Sequence, residues 1–133
     1  MGFEMSEICR VLVIEPSELF RDFLDAVVDH AGFEVAALSP AQEPERLLAR
    51  ERFDAVILAS DLGPEGPGAV ALAELAAAQG MAVIVALDDP THRGFFGNGR
   101  YLLLDKPIRP SVLIARLKEL RETGAIDCLP RSA

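Results

Sequence analysis

Tryptophan is missing from this sequence, tyrosine occurs once, and its 133 residues include only two cysteines and two histidines. Cys9 and Cys128 stand near opposite ends, without C-x-x-C spacing and without histidines around them, so neither a metal centre nor a disulfide framework is indicated. Long apolar runs are also lacking. The longest, residues 81–87, has the length of a strand and falls far short of the ~18–20 residues that span a bilayer, so no membrane insertion is expected. The first ten residues carry Glu4 and Glu7 and no continuous apolar stretch, which does not read as a secretory signal. The expected setting is the reducing cytoplasm. Positive charge is scarce, with 13 Lys and Arg against 21 Asp and Glu and a formal net charge of −8. Affinity for phosphate backbones rests on basic side chains displacing counterions, so a nucleic-acid partner is not expected and protein partners are.

What is present is half apolar and long enough for one domain with its own core. Val11-Leu12-Val13-Ile14 is a fully apolar, β-branched run ended by Glu15-Pro16, as a strand buried on both faces should be. From Ser17 the apolar residues Phe20, Phe23, Leu24, Val27, Val28 and Ala31 follow helical spacing, with Ser17 placed to cap and Gly32 to stop. Further strands are expected at 34–38, 53–59, 81–87 and 101–104, and helices at 45–50, 69–78 and 111–122. Gly94, Gly97 and Gly99 argue against a stable helix in 91–100, since each costs a helix interior about 1 kcal/mol. Alternating strands and helices imply a parallel sheet covered on both faces, whose chemistry gathers at the carboxyl ends of the strands. The expected division is an N-terminal extension (1–9), one domain (10–122) and a C-terminal tail (123–133) whose Ala125-Ile126 and Cys128-Leu129 could cover a groove or meet a partner.

This order resembles the receiver domain of two-component response regulators (CheY-like). The residues that carry the resemblance are Val11 to Glu15 followed by Arg21, then Phe53-Asp54-Ala55-Val56-Ile57-Leu58 with a Pro/Gly-rich loop after it, and Leu103-Leu104-Asp105-Lys106-Pro107. Each is weak alone, but together they cover nearly the whole chain. The resemblance implies a flavodoxin-like, doubly wound five-stranded parallel sheet of order 2-1-3-4-5, with a shortened or irregular fourth helix. It also implies a phosphoryl-transfer site: an aspartate ending the third strand, an acidic pair and Mg²⁺, a hydroxyl ending the fourth strand, and a lysine before a cis proline. A carboxylate is the nucleophile there, and metal, hydroxyl and ammonium stabilise the phosphoryl oxygens.

Carried over position by position, little of that apparatus remains. Glu15 matches the first acidic residue, but Pro16 replaces the second and offers no ligand. Five residues beyond Asp54, the acceptor position falls on Ala59, which cannot be phosphorylated. Leu87 stands where the family has its hydroxyl, and Asp88 where it has a small residue. A carboxylate there would repel an incoming dianion by roughly 1–4 kcal/mol at short range. Lys106 and Pro107 are kept. The switch positions become Leu87 and Leu103, so the usual hydroxyl–aromatic switch has no counterpart. Asp61, two residues past Ala59, stays open as a displaced acceptor, although two residues at ~3.3 Å each would carry it beyond the pocket.

Beside these stand plainer readings. Lys106 is expected to pair with Glu15 as a structural ion pair, with anion binding as the alternative. Asp88-Asp89-Pro90 reads as a turn, and Asp61 as the start of another. His30 suits the end of a helix, His92 lies in a Gly-rich segment, and neither has the neighbours of a catalytic histidine. Arg21 reads as a solvated charge. The loop 64–68 matches no nucleotide-binding pattern. The expectation is therefore a pseudo-receiver in a two-component or phosphorelay pathway. It would act by phosphorylation-independent contact with a histidine kinase, a phosphotransferase, another regulator or a second copy as a homodimer. No enzymatic activity, cofactor or metal is expected, Mg²⁺ binding being weak or absent. The alternatives are a phosphorylatable single-domain regulator using Asp61 and, further off, a small flavodoxin-like enzyme or ligand carrier.

Overall fold

The apolar runs become five parallel strands, β1 (Arg10–Ile14), β2 (Glu34–Leu38), β3 (Ala55–Ala59), β4 (Ala82–Leu87) and β5 (Leu102–Asp105). They are hydrogen-bonded in the order β2-β1-β3-β4-β5, the flavodoxin-like arrangement expected from the sequence. The computed structural model describes residues 9–64, 67–97, 99–126 and 128. The helices are α1 (Glu18–His30), α2 (Pro44–Arg50), α3 (Ala69–Ala78) and α4 (Pro110–Glu122).

Alternation along each central strand divides the core into two layers. Leu12, Ile14, Val56, Leu58, Val83, Val85 and Leu87 face α2 and α3, where Leu48, Leu72, Ala73 and Ala76 receive them. Val11, Val13, Ala55, Ile57, Ile84 and Ala86 face α1 and α4, against Leu24, Val27, Val28, Leu113 and Leu117. Both sets of strand side chains are buried, which is why these runs are apolar throughout instead of alternating with polar residues. The Ser17 hydroxyl caps α1 by accepting the Phe20 amide at 3.3 Å, and Gly32, at φ 96°, ends that helix in the left-handed region.

Between β4 and β5 the chain forms a 3-10 helix, Pro90–Phe96, the irregular fourth helix of the sequence reading. Asp89 caps it, accepting from the Thr91 amide at 2.9 Å and the Thr91 hydroxyl at 2.7 Å. The Thr91 amide, and then its hydroxyl, hold the Asp89 carboxyl below its ordinary range. Phe96, 1% exposed, anchors the segment in the core.

One expectation is corrected. Cys9 and Cys128 are paired as a disulfide, with Cα atoms 4.9 Å apart across a sequence separation of 119. Their separation along the chain gave no hint of this, because the contact depends on α4 ending beside the start of β1. Gly124, at φ 84°, turns the chain there, and Ile126 is 1% exposed in the α1/α4 layer. Of the expected extension 1–9 only Cys9, and of the expected tail 123–133 only 123–126 and 128, lie among the described residues.

Truncating Leu117, wholly buried between α4 and the sheet, should cost about 2–5 kcal/mol in urea unfolding as Leu117→Ala. Leu19→Ala, at an 83% exposed position, should change stability by no more than about 0.5 kcal/mol.

Candidate functional site

The carboxyl ends of β1, β3, β4 and β5 converge on Lys106. Its ammonium donates to Glu15 Oε1 at 2.6 Å and to Asp88 Oδ1 at 2.7 Å, and lies 4.4 Å from the centre of the Phe20 ring. The Lys106–Pro107 peptide is cis, and the Lys106 amide donates to the Leu87 carbonyl at 3.1 Å. Glu15 is 1% exposed, and its second oxygen, Oε2, accepts the Ser17 amide at 2.8 Å. Its carboxylate therefore faces an ammonium on one side and a helix entrance on the other. A buried carboxylate requires such partners, because desolvation without them is costly.

Asp88 is the second hub. Its Oδ2 accepts the Asp61 amide at 2.9 Å and the Ser60 hydroxyl at 3.3 Å, while its own amide donates to Ser60 Oγ at 2.8 Å. His92 Nδ1 lies 2.8 Å from the same Oγ. Ser60 has one hydroxyl proton, so a bond to Asp88 requires His92 to carry its proton on Nδ1. One carboxylate thus gathers an ammonium, a hydroxyl and a backbone amide, joining the ends of β3, β4 and β5.

The residues singled out in the sequence meet here unevenly. Glu15, Asp88, Lys106 and Pro107 come together. Pro16 is exposed, and its carbonyl lies 3.4 Å from Arg21 Nη1. Ala59 ends β3 at 1% exposure, in register with Ala86. Leu87 is 1% exposed in the α2/α3 layer, and Leu103 is half-buried against the same layer. Asp61 is exposed, and its Oδ1 accepts the Gly63 amide at 2.9 Å, as a turn-opening aspartate does. The ion pairs of Lys106 are with Glu15 and Asp88, not with Asp61.

Three expectations change. Asp88 is not merely part of a turn, since it faces Lys106. Arg21 is not a free surface charge, because Nη1 donates to the Glu15 carbonyl at 2.7 Å and so braces the end of β1. His92 has a hydroxyl neighbour in Ser60. For Ser60 the available signal was position, directly after a buried strand at the end of the sheet where chemistry collects, whereas Asp88 was also marked by the resemblance.

The donor set does not suit Mg²⁺, which demands a near-octahedral shell of oxygens. Pro16 and Ala59 supply no side-chain oxygen, and Glu15 and Asp88 already satisfy Lys106, Ser17, Ser60 and Asp61. Two open hollows mark the surface of the described residues. One, about 520 Å³, is lined by Leu38, Arg46 and Leu47 among others, and one, about 300 Å³, by Leu104, Pro107 and Val112 among others.

No family model and no curated protein matches the sequence. Solved structures do. A response regulator receiver protein from Sinorhizobium medicae WSM419 is similar at TM-score 0.75 and 20% identity, covering 87% of this chain and 96% of that one. A CheY-like receiver domain protein from Methanospirillum hungatei JF-1 gives TM-score 0.75 and 19% identity over 87% and 95%. The signal receiver domain of an HD domain-containing protein from Pseudomonas fluorescens Pf-5 gives 0.75 and 22% over 89% and 90%. The chain therefore has the receiver-domain fold.

Removing the ammonium should leave the Glu15 carboxylate buried and unpaired. Lys106→Met is expected to lose about 3 kcal/mol in denaturant unfolding, and the double variant Glu15→Gln/Lys106→Met to recover part of it. Equal losses in the single and double variants would show that the pair carries little.

Proposed function

We propose that this chain is a receiver-like signalling module of a two-component or phosphorelay pathway that works by protein–protein contact without being phosphorylated. The observation that carries the reading is the engagement of Lys106. The ammonium that would meet a phosphoryl group is held by Glu15 at 2.6 Å and Asp88 at 2.7 Å, and Asp88 also takes the nearby hydroxyl and amide donors. Asp88 stands in for the missing phosphoryl group. The methyl of Ala59, taken as the residue at the acceptor position, offers no nucleophile, and Leu87 and Leu103 replace the switch pair with side chains packed in or against the core.

The cluster of Glu15, Asp88 and Lys106 carries a net charge of −1, and with Pro16 and Ala59 offering no ligand for Mg²⁺, an incoming phosphate dianion meets repulsion that a receiver site offsets with its metal. Asp61 is a poor substitute acceptor, because its carboxylate is bonded to Gly63 and is outside the ion-pair shell of Lys106. Signalling then depends on which surface is presented to a partner. A histidine kinase, a phosphotransferase, another regulator or a second copy fits this role, and the net charge of −8 favours partners with basic faces. The proposed setting is the cytoplasm. No enzymatic step is assigned.

Beryllofluoride with Mg²⁺ should leave the amide spectrum unchanged, and saturable shifts around Lys106 would contradict the proposal. Incubation with a phosphorylated histidine kinase should label neither the wild type nor Asp61→Asn. Labelling of the wild type that Asp61→Asn abolishes would establish the displaced-acceptor reading instead.

A further inference from the structure

At the end of the sheet opposite Lys106, we propose that Cys9 and Cys128 form a reversible redox clasp that fastens or frees the C-terminal segment. This inference is independent of the strand-end cluster. Cys9 is wholly buried just before β1, and its carbonyl accepts the Glu34 amide at 2.9 Å, which fixes its backbone. Beyond α4 the chain turns at Gly124, the Ile126 amide donates to the Leu120 carbonyl at 2.9 Å, and the Ile126 side chain joins the buried α1/α4 layer. Cys128 is half-buried against that layer. A Cα separation of 4.9 Å falls within the ~4.4–6.8 Å that a disulfide spans.

The accessible partner is Cys128, so exchange begins there. The Cys128 thiolate attacks a low-molecular-weight disulfide such as oxidised glutathione, forming a mixed disulfide and releasing one thiol. The Cys9 thiolate then attacks the Cys128 sulfur and releases the second thiol. Two protein thiols are oxidised and one small disulfide is reduced to two thiols, which take up the two protons that the protein thiols give up. Reduction reverses each step. In the reduced state the described residues past Gly124 keep the buried Ile126 side chain and the bond from its amide to the Leu120 carbonyl.

The test equilibrates the full chain in oxidised and then reduced glutathione, reading mass, thiol alkylation under denaturing conditions, and amide exchange at Ile126. The oxidised chain should lose two hydrogens per molecule, resist alkylation and remain monomeric in its disulfide linkage. Reduction should restore both thiols and speed Ile126 exchange by about tenfold or more, as for a segment released to open locally. Cys128→Ser, at a half-buried position the fold can tolerate, should show the fast exchange in both buffers. Thiols that stay alkylatable in oxidised glutathione, a persistent glutathione adduct or a disulfide-linked dimer would overturn the proposal. So would an Ile126 exchange rate that is the same in both buffers or stays slow in Cys128→Ser.

Discussion

The organisation of the strand ends depends on one ammonium group held between two carboxylates. Lys106 reaches from the end of β5 to Glu15 at the end of β1 and to Asp88 at the end of β4. Burial makes the Glu15 contact obligatory: Glu15 has almost no access to water, so without Lys106 its charge would lack the compensation that makes it tolerable. The Phe20 ring beneath the ammonium and the Arg21 guanidinium on the Glu15 carbonyl extend this support into α1. The cluster is thereby tied to the helix that the same sequence begins immediately after Pro16.

That constraint explains why the strand-end crevice is filled from within. A receiver fold gathers four strand ends around one point, and some charge arrangement must satisfy whatever polar groups stand there. In the proposed function, Pro16 and Ala59 leave metal-binding oxygens out, and Asp88 adds a carboxylate where a phosphoryl group would otherwise approach. The remaining donors, Ser60 Oγ and the Asp61 amide, turn to Asp88. On the same proposal, Leu87 and Leu103 stand at the switch positions, and both pack in or against the apolar layer.

Much of this was legible in the sequence. Strands buried on both faces announce themselves as unbroken apolar runs, and α1 showed its cap, stripe and stop in order. The Glu15–Lys106 pair followed from placing two opposite charges at strand ends. What stayed hidden were contacts set only by tertiary geometry. The resemblance set Asp88 at the pocket and its neighbours read as a turn, but nothing local said that its carboxylate pairs with a lysine 18 positions away. Ser60 and His92 are 32 positions apart and meet because the 3-10 helix after β4 folds over the end of β3. The cysteine pair, 119 positions apart, was the least visible of all, since it depends on where α4 ends.

The most direct probe of the central claim is the Lys106 side-chain ammonium itself, observed by nitrogen-detected NMR with and without acetyl phosphate and Mg²⁺. An ammonium held by two carboxylates gives a slowly exchanging signal, with couplings to Glu15 and Asp88 and no response to either addition. An ammonium signal lost to rapid exchange with water, or one that shifts saturably when phosphate donor and Mg²⁺ are added, would contradict the account.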